Sequence, residues 1–127
     1  MISTNIKILI EKLKKKTESG QAIWTKTSRD SEFKLELQKG AITTDNWEDN
    51  EGRYIDLAII NENGEAIERD AFNLYEMTQV ENYNTLYEIY EIAKKSYYKI
   101  DETLKTIFDE LDSEKIVGKD KHRDLPF

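Results

Sequence analysis

The stretch Arg53-Tyr54-Ile55-Asp56-Leu57-Ala58-Ile59-Ile60-Asn61-Glu62-Asn63-Gly64-Glu65-Ala66-Ile67-Glu68 constrains the fold more than any other part of the chain. An apolar strand runs into Asn63-Gly64 and starts back. Asn-Gly accepts the positive φ angles of a tight hairpin, so the middle of the protein is expected to be antiparallel sheet. Ile55, Leu57 and Ile59 are assigned to the inward face. Asp56 then points outward between Tyr54 and Ala58.

Flanking segments extend this sheet. Glu32-Phe33-Lys34-Leu35-Glu36-Leu37 alternates strictly, which predicts a strand with one dry and one wet face. Gln38-Lys39-Gly40 reads as a hairpin loop with glycine in the left-handed position, and Ala41 to Thr44 as the return strand. Ala22 to Lys26, rich in β-branched and aromatic residues, is an expected first strand. Asp45 to Gly52 reads as a polar loop around Trp47. A last strand is expected from Glu65 to about Asp70, and sequential hairpins favour a meander.

Helical periods occupy the two ends. Ile6, Leu9, Ile10 and Leu13 form one apolar stripe within an expected helix from Thr4 to Lys16, with Ser3 or Thr4 as cap and Ser19-Gly20 as stop. Thr78-Gln79-Val80-Glu81 matches a capping box, ahead of a stripe through Tyr83, Leu86, Tyr87, Tyr90, Ala93 and Tyr97. A break near Lys99-Ile100 and an N-cap at Asp101 precede a second stripe, Leu104, Ile107, Phe108 and Leu111. The expected fold is α+β: an N-terminal helix, an antiparallel β-meander of four to five strands, and two C-terminal helices packed on one sheet face. Residues 1–116 are expected to form a single domain and 117–127 a polar tail, mobile or docked.

At 127 residues the chain is long enough for one ordinary core. It contains no cysteine, which excludes disulfides, thiolate metal sites and a thiol nucleophile. The longest apolar run, Leu57 to Ile60, is far below the ~20 residues a membrane helix needs. The N-terminus lacks the apolar core of a secretory signal, so a cytoplasmic location is expected. Net charge is −7, unevenly spread: +5 through Arg29, −14 from Asp30 to Glu114 and +2 beyond. An acidic body disfavours nucleic acid and anionic membranes and favours a protein partner with a basic surface. The lysines at 12, 14, 15 and 16 suit the last turns of a helix, where they complement its dipole. A homodimer through a helix or sheet edge is compatible with the pattern.

Candidate chemistry is sparse. The single histidine, His122, sits in a polar tail that supplies neither fixed position nor orienting partner, so it is not expected to act as a base. No nucleophile elbow, Ser-x-x-Lys pair, P-loop or dinucleotide fingerprint occurs. Asp45, Glu48, Asp49 and Glu51 cluster, but an EF-hand starting at Asp45 would place Trp47 at its third position and Asn50 at its sixth. No metal, cofactor or catalytic residue is therefore expected. Paired carboxylates of the glycosidase kind are weighed only at Asp56, which is read instead as an outward-facing charge.

Two functional readings follow. In the first, the chain is a small acidic, non-enzymatic protein-binding module of adaptor, inhibitor, immunity-type or chaperone-like character. It would grip a basic partner through Tyr83, Tyr87, Glu88, Tyr90 and Glu91, since tyrosine offers an apolar body with a polar tip. Leu125-Pro126-Phe127 is a weaker docking candidate. In the second, Trp24, Tyr54 and Asp56 on the wet sheet face bind a small ligand or nucleotide.

Overall fold

The computed structural model describes residues 1–119; His122 and Leu125-Pro126-Phe127 lie outside them. The elements are α1 (Thr4–Glu18), β1 (Thr25–Lys26), β2 (Glu32–Leu37), β3 (Gly40–Asp49), β4 (Gly52–Asn61), β5 (Ala66–Asn73), a 3-10 turn (Met77–Gln79), α2 (Val80–Tyr98) and α3 (Ile100–Leu111). The five strands pair in chain order, every neighbour antiparallel. The fold is thus α+β, with an N-terminal helix, a meander sheet and two C-terminal helices on its helical side.

Alternation decides which residues are dry. Phe33, Leu35, Ile42, Ile55, Leu57 and Phe72 share the inner sheet face and join Ile6, Ile10 and Leu13 of α1 and Leu86, Ile89 and Ala93 of α2 in one core. Each phenylalanine, leucine or isoleucine among them, taken fully from water, contributes about 1.5–3 kcal/mol. Of the two C-terminal helices, α2 meets the strands directly, while α3 adjoins α2. Ser3 caps α1 by accepting from the Ile6 backbone N–H at 3.2 Å, and Ser19 closes it.

Several local expectations change. The first strand shrinks to Thr25–Lys26, because Trp24 and Ala22 turn into the core ahead of it. The expected acidic loop is mostly strand: Asp45–Asp49 belong to β3, and only Asn50-Glu51 turn back, with the Asp49 carboxylate accepting from the Glu51 and Gly52 N–H groups. At the central hairpin only Gly64 takes a positive φ, 83°; Asn63 does not. Gly64 N–H donates to Asn61 O and Asn61 N–H to Glu65 O, which makes a three-residue loop in place of the two-residue turn.

Gly40 is also reinterpreted. Its φ of 159° is nearly extended, and it pairs with both Leu37 and Asn61 as part of β3. Glycine is needed because a Cβ there would lie 2.5 Å from the Ile60 carbonyl oxygen. The capping box does not form: Thr78 lies in the 3-10 turn, and Gln79 instead accepts from the Asn73 N–H at 2.7 Å through Oε1. Asp101 lies inside the first turn of α3, whose N-cap is Lys99. Lys99 has φ 52°, a left-handed residue that ends α2 and starts α3.

Candidate functional site

The tyrosine row on α2 is core and not a free surface. Tyr83 is 3% exposed and Tyr90 7%, which removes both from the expected partner-binding face. Their hydroxyls explain why leucine was not used. Asn46 Nδ2 donates to the Tyr83 hydroxyl at 2.8 Å, and the Tyr90 hydroxyl donates to the Ser31 carbonyl at 2.9 Å. A leucine at 90 would deprive the Ser31 carbonyl of this donor, and one at 83 would leave Asn46 Nδ2 with the Tyr54 carbonyl as its remaining acceptor. Burial pushes the Tyr90 hydroxyl up to about 12.

The rest of that group is also engaged. Tyr87 is half-buried, stacked between Tyr83 and Tyr90 at 5.8 and 6.1 Å between centroids. Hydrogen bonding to Glu91, helped by burial, raises its pKa. Glu88 is exposed but paired with Lys14 of α1 at 2.9 Å, a surface bridge worth under about 1 kcal/mol. At the end of α2, Tyr97 and Tyr98 hold a cation from within the chain. Lys26 Nζ lies 5.1 Å from the Tyr98 ring centre and 5.6 Å from that of Tyr97, with Asp30 at 3.0 Å. Tyr98 first and Asp30 second raise the lysine pKa.

Trp24, Tyr54 and Asp56 do not assemble into one site. Trp24 is buried on the helical side, where its Nε1 donates to Thr17 Oγ1 at 3.1 Å. Tyr54 and Asp56 lie on the opposite, outer face. Tyr54 stacks on Trp47, its cross-strand partner, at 5.3 Å and 21°.

Asp56 is correctly placed on the outer face, yet it is not wet: it is 2% exposed, as is Asp45, directly opposite on β3. Sequence reasoning missed this pair because it put Asp45 in a loop. Arg69 covers Asp56, donating from Nε at 2.9 Å and from Nη2, both to Oδ2. Arg29 covers Asp45 at 2.8 Å and also lies 5.6 Å from the Trp47 ring centre. Ser31 Oγ donates to Asp45 Oδ1 at 2.6 Å. Desolvation raises the Asp56 pKa, opposed by Arg69. Both carboxylates are held by partners within the face, and among the described residues every buried side-chain polar atom has a hydrogen-bond partner. Among these residues no group of three or more acids or histidines converges as a metal site.

The unsatisfied surface lies elsewhere. On α3, Leu104 is 41% exposed, Ile107 45%, Phe108 56% and Leu111 59%. No residue of that helix is buried. An amphipathic helix normally buries such a stripe. Beside its start opens a cleft of about 980 Å³ between the end of α1, the segment before β1, and α2, with Trp24, Ile92 and Tyr97 in its lining. Asp56 and Tyr54 do not line it. Sequence periodicity did reveal the α3 stripe, but nothing in the sequence told that it stays uncovered.

The arrangement is a small acidic α+β fold in which the apolar stripe of α3 stands exposed. Comparison with protein-family models, curated proteins and solved structures gave no match. Among the described residues no helix is long and apolar enough to cross a membrane.

Proposed function

We propose that this protein is a small acidic, non-enzymatic binding module that acts in the cytoplasm by occupying the surface of a protein partner. The observation that supports this reading is the α3 stripe, four large apolar side chains between 41% and 59% exposed in a row on one helix. Single exposed apolar residues are ordinary, whereas a contiguous row on an amphipathic helix suits a partner surface. The working face is therefore α3, in place of the tyrosine row of α2. The outer-face carboxylates are already neutralised by Arg29 and Arg69, so they have no need of a ligand.

Affinity capture from the native host, with wild type and with the double variant Leu104→Asp/Phe108→Asp, tests the reading. Both side chains are exposed, so the variant is expected to fold, which circular dichroism checks. Wild type should recover a protein in near-stoichiometric amount, and the variant should lose it. Equal recovery by both contradicts the proposal.

A further inference from the structure

We infer that α3 and the cleft at its start form the seat for a positively charged amphipathic helix of a partner protein. The inference rests on the reading of the chain as a protein-binding module, and it names the chemistry of the partner.

Three observations converge. First, helical spacing sets Leu104, Ile107, Phe108 and Leu111 on one arc of α3, bordered by Asp101 and Asp112 on one side and Glu110 on the other. From Asp101 to Glu114 there are six carboxylates against a single lysine, Lys105. An apolar strip with acidic margins complements an apolar strip with basic margins. Second, the adjoining cleft has related chemistry: Trp24, Ile92 and Tyr97 line it, and five carboxylates, among them Glu18, Glu91 and Glu102, outnumber its two lysines, Lys95 and Lys99. Ile23, 82% exposed, adds another apolar side chain to that cleft, which α3 borders through Asp101 and Glu102. Third, the sheet edges offer a poor alternative. β1 is two residues long, and β5 carries Glu68, Arg69 and Asp70 in its middle.

Helix against helix is the geometry such a strip supports, since side-chain ridges of one settle into grooves of the other. At twelve residues, α3 is about 18 Å long, which matches three to four turns of a partner. A second copy fits poorly, because two α3 helices would bring acidic margins together. An anionic membrane is repelled by the same carboxylates.

The test uses two labelled peptides of about 18 residues, long enough for appreciable helix. One has leucines at helical spacing with lysine elsewhere; the other replaces each lysine with glutamate. Fluorescence anisotropy with the full chain should show the lysine peptide binding at least about tenfold more tightly than the glutamate peptide. Raising salt from about 50 to about 300 mM should weaken it about fivefold or more. Phe108→Asp, and separately Leu104→Asp, should each weaken it about tenfold. Equal binding of both peptides, binding of neither, or unchanged binding by the two variants overturns the inference. So does a dimer in sedimentation that Phe108→Asp dissolves, which would make a second copy the occupant. If the α3 double variant loses its native partner while the lysine peptide fails to bind, the basic helix is refuted and the binding module stands. If that variant keeps its native partner, the module reading fails first.

Discussion

Asp45 and Asp56 face each other across β3 and β4, and the backbone N–H of Asp45 donates to Asp56 Oδ1 at 3.1 Å. Like charges directly opposite on a sheet repel. Here Arg29 and Arg69 cap the pair from the two flanking sides, at 2.8 Å for Arg29 and by two donors for Arg69. The two guanidiniums thereby neutralise the two carboxylates on the face without helices, while Glu32, directly across from Asp45 on β2, adds a further negative charge beside them.

Removing one arginine should expose the cost of that arrangement. Arg69→Met leaves a carboxylate that is 2% exposed without its cation. We expect a loss of about 2 kcal/mol, below the figure for a wholly buried pair because the guanidinium is half in solvent. Urea denaturation measures it. Adding Asp56→Asn to Arg69→Met should restore part of the loss, and a cycle showing no coupling would refute the charge-neutralisation account.

Acidity offers a second check on Asp56. Its pKa is raised in the fold, chiefly by desolvation. A carboxyl with a raised folded pKa binds its proton more readily when folded. Its ionisation therefore lowers stability as pH rises through the folded value, and that loss is absent below the unfolded value of 3.8. Relative to Asp56→Asn, wild type should gain stability on acidification from about pH 7 toward about pH 4. Paired urea titrations at stepped pH show the sign directly.

At high pH, Tyr90 governs a separate loss. Its hydroxyl titrates at about 12 in the fold against 10.0 ordinarily, so the folded state holds the proton more tightly. Stability falls as pH climbs through that interval. Tyr90→Phe should flatten this alkaline loss while costing about 1 kcal/mol at neutral pH for the hydrogen bond to Ser31. Tyr90→Ala, by contrast, empties part of the core and should cost about 3–5 kcal/mol.

Gly40→Ala should destabilise by about 1–3 kcal/mol, since the new Cβ meets the Ile60 carbonyl at 2.5 Å and neither backbone can retreat without breaking the ladder. Thermal unfolding reads this. A shift no larger than that of a surface alanine would show that β3 and β4 approach less closely than described.

Much of the fold is visible in residue patterning. Phe33/Leu35 and Ile55/Leu57/Ile59 declare strand faces by period alone, although Leu37, at the end of the same row, is 55% exposed, and Ile6/Leu9/Ile10/Leu13 declares a helix stripe. The outer face is harder to read because an acidic run such as Asp45 to Glu51 resembles a loop by composition. Only pairing with β4 converts it to strand, and a buried Asp45 is tolerable because Arg29, sixteen positions earlier, and Ser31 both hold its carboxylate. The tyrosines mislead for a similar reason. A ring whose tip must reach Asn46 or the Ser31 carbonyl has the same local signature as a ring awaiting a partner. Burial is a property of what packs above a stripe, so neither the covered α2 row nor the bare α3 row is distinguishable within its own helix.

Hydrogen exchange across the whole chain, alone and with the lysine-rich amphipathic peptide, tests the central claim most directly. Free protein should show rapid exchange along α3, none of whose residues is buried, and slow exchange in β3, β4 and α2. With peptide, protection should rise at 104–111 and in the segment around Ile23, while Tyr54 to Ala58 stay unchanged. New protection on that outer strand segment, with none on α3, would contradict the account.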